Sequence, residues 1–524
     1  MNRIISSTRF LSYNRMRSAM TIGKRYKSLD PTSSSAKSKD RRNWLVTFTL
    51  AGVGMAGVSY IARQEKQEDR SQNDHKHNNI NRPSDGIAVK SNHDHYNRRL
   101  KIAIDQSRQL ISQIKEESGS PGISIAVSCN GKMMWSEGFG VSDIENAVPC
   151  TPQTVMRIAS ISKPISAAII AKLWEDGKLD LDAPISKYVK DFPDKTFDSQ
   201  PVEITTRMLL SHLGGIRAYE KVITDSTDKN EKDKNADENK VEKLKNGVTL
   251  KVNYKEFLLK DRFNSVTEAL KLFKDDPLVV KPGTEYHYTT HGWSLLSGVI
   301  EGATEEKLLK LMGTLFKQLG MTNTQPEFHE TLIYNRARYY RRNKKGKLRN
   351  APYVDISYKW AGGGLVSNVA DLVKFGNVML YSRQYSTIAH AINESNYDSQ
   401  DITKRSIPKG YLNSDTVKAM WTPASATLEK VGFSTGYGLG WTVADNKIWV
   451  GYGHEELPWV GHSGGAVGCS STLVILQPKE VNVNKPAPQG IVVAILVNME
   501  AVSLTPTARK VALAFEKIEK EVSD

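Results

Sequence analysis

Two β-rich regions lie far apart in the chain, and this separation is the feature that most constrains its fold. In the first region, residues 123–129 and 132–139 flank Asn130-Gly131, a pair whose tolerance of positive φ angles is typical of a two-residue hairpin turn. In the second, residues 470–476 and 491–498 are rich in β-branched and apolar side chains. A mainly helical stretch separates them. We therefore predict an α/β (α+β) fold in which the first and last β segments join one sheet.

Helices are predicted beside both β regions, and two polar stretches interrupt the part between them. Residues 100–117 place apolar side chains on one helical stripe, and residues 507–521 form a predicted terminal helix. Residues 225–246 are almost wholly Asp, Glu, Lys and Asn, which predicts a disordered charged insertion. Residues 384–409 are also polar and predict a loop. These patterns assign residues 100–524 to one large folded unit.

The first 99 residues have the composition of a targeting and anchoring region. Residues 1–43 begin with many Arg, Lys and Ser and have no acidic residue before Asp30, which predicts a mitochondrial transit-like segment, with a disordered basic tail as the alternative. Residues 44–62 are mostly apolar and long enough to span a bilayer. They predict a transmembrane anchor in the mitochondrial inner membrane with the large domain in the intermembrane space, or else part of a cleaved presequence. Residues 63–99 are polar and predict a linker.

The distribution of charge argues against nucleic-acid binding. The formal net charge is +15, but residues 1–99 hold 19 Lys/Arg and 8 Asp/Glu, which leaves only +4 for the rest of the chain. A nucleic-acid footprint needs basic residues gathered on a folded face. The three cysteines, Cys129, Cys150 and Cys469, are widely spaced and outside any C-x-x-C pair, so we expect free core thiols.

Ser160 and Lys163 form an S-x-x-K tetrad directly before a strongly helical stretch. Residues three apart on a first helical turn share a face, so the Lys163 amine can reach the Ser160 hydroxyl and act as its base. The pKa of the amine must fall for this role, through desolvation or a neighbouring cation. The pattern alone is weak, because Ser34 to Lys37 in the basic tail matches it too. The prediction that Ser160 is the nucleophile and Lys163 its base rests on their position at the start of a helix.

Two later segments contain what a serine hydrolase still needs. Tyr288 follows a Pro-Gly turn and stands at the head of a helical run, where its phenol could relay a proton between nucleophile and leaving group. His462, Ser463 and Gly465 lie in G-H-S-G-G at the start of a strand pattern. We expect His462 and Ser463 to orient a substrate and the Gly465 N–H to help bind an oxyanion. Taken singly, Tyr288 and His462 are also typical of structural core residues.

Three segments resemble the active-site boxes of the serine β-lactamase and penicillin-binding-protein superfamily, in its class C and esterase-like branch. In chain order they are S-I-S-K at 160–163, Y-T-T at 288–290 and H-S-G at 462–464. Segments 209–216, 362–365 and 436–441 agree with the resemblance. It implies a β-lactamase/transpeptidase-like fold, with an antiparallel sheet flanked by helices and a helical lobe. The mitochondrial members of this branch are the most similar in organisation.

The resemblance also implies roles for the site residues. Ser160 would be acylated, Lys163 and Tyr288 would shuttle protons, and the N–H groups of Ser160 and Gly465 would hold the oxyanion, with no cofactor or metal. Thr290 stands where the family usually has Asn, and His462 replaces the lysine of bacterial K-T-G boxes. These departures predict poor binding of a β-lactam carboxylate. Peptide amides or esters are the expected substrates.

Two other functions stay open beside a mitochondrial serine hydrolase or peptidase. The resemblance to mitochondrial members implies a homo-oligomer or filament that organises the intermembrane space, with an influence on lipid metabolism. An inactive substrate-binding relative is the third alternative. Retention of Ser160, Lys163, Tyr288 and His462 together favours chemistry, because a scaffold needs none of them.

Overall fold

The computed structural model describes residues 85–223, 241–243, 249–252, 254–395, 407–428, 435–444, 449–450, 454–455 and 458–520. The predicted transit-like segment and the predicted anchor at 44–62 lie outside these residues. Within the described part of the chain, no helix combines the length and the apolarity needed to span a bilayer.

One eight-stranded antiparallel sheet joins the two ends of the described chain. Its strands are β1 Gly122–Cys129, β2 Lys132–Asp143, β3 Val148–Pro149, β4 Thr435–Tyr437, β5 Thr442–Ala444, β6 Trp459–Ala466, β7 Cys469–Leu476 and β8 Ile491–Val497, in the order β4-β5-β6-β7-β8-β1-β2-β3. The first and last β regions meet where β1 pairs with β8, with Ile123 opposite Val497. The predicted single sheet and the β1–β2 hairpin are therefore confirmed.

The central strand β8 is buried on both faces. Ile491, Val493, Ile495 and Val497 belong to one apolar cluster, and the alternating residues Val492, Ala494 and Leu496 belong to another. Side chains of a strand alternate between faces, so a continuous apolar run predicts cover on both sides. Full burial of each of the larger side chains contributes about 1.5–3 kcal/mol.

Eleven helices in the described residues provide that cover and a helical lobe. They are α1 Asp85–Ser118, α2 Ser162–Glu175, α3 Thr206–Leu210, α4 Tyr254–Phe257, α5 Val266–Leu270, α6 His291–Thr304, α7 Leu308–Leu319, α8 Trp360–Gly363, α9 Val369–Ser395, α10 Ser414–Met420 and α11 Thr505–Lys520. Side chains of α1 and α11 pack on one face of the sheet, and those of α2 and α9 belong to the cluster on the other. The predicted flanking helices and terminal helix are confirmed.

Two predicted boundaries are wrong. Helix α1 begins at Asp85 rather than near residue 100, so the linker predicted at 63–99 is shorter; Tyr96 packs with Leu100 against the apolar cluster and extends the helical stripe. Helix α9 continues to Ser395, which covers the first part of the loop predicted at 384–409, because the buried Gln384 amide exchanges two 2.7 Å hydrogen bonds with the backbone of Gln489.

The charged insertion at 225–246 lies mostly outside the described residues, but its end does not match the prediction of disorder. Val241–Lys243 pairs with the strand Thr249–Val252, which also pairs with Glu220–Ile223. Ladder hydrogen bonds are made by the backbone, so a polar segment can form a short strand without burying apolar side chains.

A small three-stranded sheet supports the start of α2. Its strands are Gln325–Pro326, Leu365–Ser367 and Met156–Arg157. Arg157 forms a buried ion pair with Glu327, with 2.6 Å between Nε and Oε2, and donates to the carbonyl oxygen of Val467 at 2.9 Å. The ion pair ties the segment before Ser160 to Glu327, and the bond to Val467 ties it to the end of β6. The nucleophile region is therefore held from two sides.

Candidate active site

Ser160 lies on a tight turn between the strand Met156–Arg157 and α2. The turn is a 3-10 helix, Ala159–Ile161, and Ala159 has a positive φ of 48°. A non-glycine residue in this region is uncommon and persists only where its surroundings enforce it. Ser471 donates a 2.7 Å hydrogen bond to the carbonyl oxygen of Ile158. A side chain at Gly464 would come within 2.4 Å of the same oxygen, so β6 lies directly against this turn.

The structure brings Ser160, Lys163 and Tyr288 together. Lys163 Nζ lies 3.0 Å from Ser160 Oγ and donates a 2.7 Å hydrogen bond to the carbonyl oxygen of Gly362. The Tyr288 hydroxyl donates to Ser160 Oγ at 2.8 Å. Tyr288 is 37% exposed, so this residue borders both the nucleophile and solvent. In this arrangement the Ser160 hydroxyl hydrogen is free to point at the Lys163 amine.

The surroundings of Lys163 favour its neutral form. The side chain is fully buried, and burial is the main cause that holds the pKa of its amine well below the ordinary lysine value, with repulsion from Lys359 as the second. None of the described carboxylates forms a salt bridge with it. A neutral amine can accept the proton of an adjacent alcohol.

The third predicted segment forms strand β6, and its histidine is hydrogen-bonded within the protein. His462 is buried, its Nδ1 bonds the carbonyl oxygen of Ser463 at 2.6 Å, and its Nε2 bonds the Tyr437 hydroxyl at 2.8 Å. Burial first, and the nearby Lys163 second, lower the pKa of His462 to about 3. Both ring nitrogens thus have hydrogen-bond partners within the protein, and the role of His462 in orienting a substrate stays a prediction.

Ser463 and Gly465 are the exposed residues of β6. A side chain built on Gly465 would meet no heavy atom within 4 Å, so its backbone borders open space. Alternation along the strand directs His462 inward and leaves these two positions at the surface of the cleft. They remain the predicted substrate and oxyanion contacts of this segment.

Thr290 caps α6 instead of presenting a side-chain amide. Its carbonyl oxygen accepts hydrogen bonds from the N–H groups of Trp293 and Ser294. Its methyl group would lie 2.9 Å from a side chain at Gly362. The residue thus fills space beside the carbonyl that binds Lys163, and the amide expected from the resemblance is replaced by packing.

The comparison with known proteins decides the family. A family model described as Beta-lactamase matches residues 107–515, which is most of the chain. The chain belongs to the beta-lactamase family. The family predicted from the three sequence boxes is therefore confirmed.

This beta-lactamase family member is 42% identical over 467 residues to the "Serine beta-lactamase-like protein LACTB, mitochondrial" of Bos taurus, with 82% of each chain covered. The protein of the same name from Homo sapiens is 42% identical over 450 residues, covering 79% of this chain and 80% of that protein. Among solved structures, the octameric penicillin-binding protein homologue from Pyrococcus abyssi has a TM-score of 0.56 and 22% identity, covering 80% and 79%. That likeness is one of fold.

Sequence reasoning missed His212, although it noted the segment 209–216 that contains it. His212 is buried with a φ of 60°, and its Nδ1 accepts a 3.1 Å hydrogen bond from the Thr289 N–H. Its ring lies 4.2 Å, centroid to centroid, from the ring of Tyr288 and 4.7 Å from that of Tyr437. Burial holds the pKa of His212 well below its usual range. A neutral ring therefore supports the phenol in this beta-lactamase family member.

His212→Asn is expected to lower kcat for ester hydrolysis about tenfold with little change in KM, because the Tyr288 ring loses its support. Asparagine tolerates a positive φ and retains a hydrogen-bond acceptor, so the backbone turn is preserved. Steady-state kinetics beside a thermal melt would check this. An unchanged kcat in a folded variant would show that Tyr288 is positioned without His212.

Proposed function

We propose that this chain is a serine hydrolase that cleaves peptide amides or esters through an acyl-enzyme at Ser160. The observation that carries the proposal is the contact of Ser160 Oγ with both Lys163 Nζ at 3.0 Å and the Tyr288 hydroxyl at 2.8 Å. One group can take the hydroxyl proton and the other can donate a proton to a leaving group. Membership of the beta-lactamase family supports serine chemistry in general.

The steps follow from these contacts. Neutral Lys163 accepts the proton of Ser160 as Oγ attacks the substrate carbonyl, and the N–H groups of Ser160 and Gly465 stabilise the oxyanion. Collapse of this intermediate breaks the bond to the leaving group, which receives a proton from Tyr288. Tyr288 recovers a proton from the Lys163 ammonium. Water then enters the leaving-group position, gives up a proton along the reverse route and releases the acid, which restores Ser160.

The preference for amides and esters over β-lactam antibiotics rests on His462. A β-lactam carboxylate is bound in bacterial relatives by a cation, as the sequence resemblance implies, whereas His462 is neutral and its nitrogens bond Ser463 and Tyr437. A neutral, fully occupied imidazole cannot replace an ammonium there. We therefore propose ordinary acyl substrates.

We also propose a mitochondrial location. The bovine and human relatives carry the word mitochondrial in their names, and residues 1–43 have a transit-like composition. Anchoring of residues 44–62 in the inner membrane, with the domain in the intermembrane space, stays a prediction, as does an influence on lipid metabolism. Protection of the domain from added protease after rupture of the outer membrane would contradict this orientation.

A homo-oligomer or filament is the second candidate function. The Pyrococcus abyssi relative is titled as an octamer, which favours self-association within this fold without indicating its geometry. Assembly and hydrolysis are compatible. A filament with structural function alone would assemble equally well with Ser160→Ala and would show no turnover in the wild type.

Intact-mass analysis of the purified full chain with a fluorophosphonate tests the proposal. We expect one adduct on the wild type and none on Ser160→Ala, because the probe bonds only an activated serine oxygen. Ser463→Ala is the matched control, since Ser463 is exposed on β6 beside the same cleft, and it should keep the adduct. Label retained by Ser160→Ala would exclude Ser160 as the nucleophile.

A further inference from the structure

Lys359 is a second buried lysine near the nucleophile that the proposed mechanism does not use. It ends the 3-10 turn Ser357–Lys359, directly before α8, and its side chain is 6% exposed. Gly362, whose carbonyl oxygen binds Lys163, lies in the following helical turn. The short segment from Lys359 to Gly362 therefore links Lys359 to the carbonyl oxygen that binds Lys163.

Three aromatic rings surround the Lys359 amine. Nζ lies 5.0 Å from the ring centroid of Tyr358, 5.2 Å from that of Phe257 and 5.8 Å from that of Tyr219. Such contacts attract a cation and fix its position, but a ring face is a poor substitute for hydrogen-bond acceptors. The hydroxyl of Tyr358 donates to the carbonyl oxygen of Glu256 instead. The rings hold the amine without satisfying its N–H groups.

Within the described residues, Lys359 Nζ makes no hydrogen bond and no salt bridge. The nearby carboxylate, Glu327, is already paired with Arg157 at 2.6 Å. A buried cation without an acceptor is costly, so such groups in proteins are ordinarily paired. Burial first, and then the charge of Arg157, lower the pKa of Lys359 to about 7. The amine is thus able to take a proton when an anion arrives.

Gly363 lies beside both the Lys359 side chain and the nucleophile turn. A side chain built on Gly363 would lie 3.8 Å from the carbonyl carbon of Ala159 and 3.9 Å from Lys359 Cδ. Ala159 directly precedes Ser160. The Lys359 side chain and the residue before the nucleophile therefore both lie within contact distance of one position, the missing Cβ of Gly363.

We propose that Lys359 is an anion-recognising residue of this cleft and that the preferred substrates carry a carboxylate. The inference rests on the proposed hydrolase function and deepens it. A carboxylate would supply the acceptors that Lys359 lacks through a charge-assisted hydrogen bond. Positive charge for substrate recognition would then come from the α8 side of the site, whereas β6 presents a neutral histidine.

The test compares matched esters that differ in one charge. One pair is the mono-4-nitrophenyl ester of adipic acid and its distal methyl ester, which place the difference on the acyl chain. The other is an acetate ester of 4-hydroxybenzoic acid and its methyl ester, which place it on the leaving group. We expect Lys359→Met to lower kcat/KM at least about tenfold for the acid of one pair and by less than about threefold for its methyl ester.

Two features of the experiment separate anion recognition by Lys359 from its effect on the pKa of Lys163. Lys359 also lowers the pKa of Lys163, but a change in the base alters both members of a pair equally. Equal losses, or no loss, would overturn the proposal. Lys132→Met is the matched control, because Lys132 is an exposed lysine at the β1–β2 turn, and it should leave the acid-to-ester ratio unchanged.

Measuring how tightly the esters bind to the Ser160→Ala variant tests the anion site without requiring turnover. Calorimetry should show tighter binding of the acid than of its methyl ester, and loss of that difference in the Ser160→Ala, Lys359→Met double variant. If the difference appears while the wild type hydrolyses nothing, the anion site stands and the hydrolase proposal fails. If the wild type hydrolyses the esters without such a difference, the hydrolase stands and the anion site fails.

Discussion

Lys163→Met is expected to lower kcat/KM for ester hydrolysis by about 10⁴-fold in a folded protein, which is the upper range for loss of a general base. The Nζ of Lys163 is 3.0 Å from Ser160 Oγ, and no other described side chain at the site combines that contact with a lowered amine pKa. Methionine matches the length of the buried side chain and removes the base. Rates at several ester concentrations, beside a thermal melt, would measure the effect.

A matched control lies on the same helix. Lys172 is a lysine of α2 whose side chain is 41% exposed and pairs with Glu175 and Asp176. Lys172→Met removes an amine of the same length from the same helix, and activity should stay within about twofold because Lys172 pairs with Glu175 and Asp176 rather than with a residue of the site. A Lys163→Met enzyme that retains most of its activity would remove Lys163 from the mechanism.

The activity of the wild type should fall as pH decreases through the pKa of Lys163. The base works only when unprotonated, and burial together with Lys359 holds this pKa well below the ordinary lysine value. The acid limb of the profile therefore lies at a lower pH than free lysine would give. Lys359→Met removes a like charge, so it should move that limb to higher pH. A pH profile of kcat/KM that lacks such a shift would show that the two lysines are not coupled.

The sheet could be predicted from the sequence because its central strands are locally consistent. Asn130-Gly131 fixes the β1–β2 turn, and the apolar run of β8 has no polar face to place in water. The boundaries of α1 and α9 could not be predicted in the same way. Gln384 is polar, and only its pairing with Gln489, far along the chain, makes a helix at that position favourable.

In the candidate site, too, some features could be predicted from local sequence and others could not. Ser160 and Lys163 share one helical turn, so their proximity follows from spacing alone. The positive φ of Ala159 is invisible in the sequence, since alanine gives no sign of a left-handed turn. The contacts of His212 and Lys359 involve rings from several separate segments of the chain. Both residues stood in or beside noted motifs, but their contacts exist only in the folded chain.

Tyr288→Phe is expected to affect substrates according to how badly their leaving groups need a proton. For an amide or an alkyl ester we expect a loss of about 10²-fold in kcat, and for a 4-nitrophenyl ester a loss within about tenfold. The Tyr288 hydroxyl donates to Ser160 Oγ at 2.8 Å and its side chain is 37% exposed. It therefore stands where a leaving group would depart. Nitrophenolate leaves readily as an anion, so protonation matters less for it.

The same comparison separates proton donation from positioning. If Tyr288 only oriented Ser160, the nucleophile would be equally misplaced for every substrate, and Tyr288→Phe would lower all rates by the same factor. Tyr286→Phe is the matched control, because Tyr286 belongs to the same aromatic cluster and packs against His212 and Tyr437. Removing its hydroxyl should change the amide-to-nitrophenyl ratio little. A uniform loss in Tyr288→Phe would show that Tyr288 does not supply the proton of the leaving group.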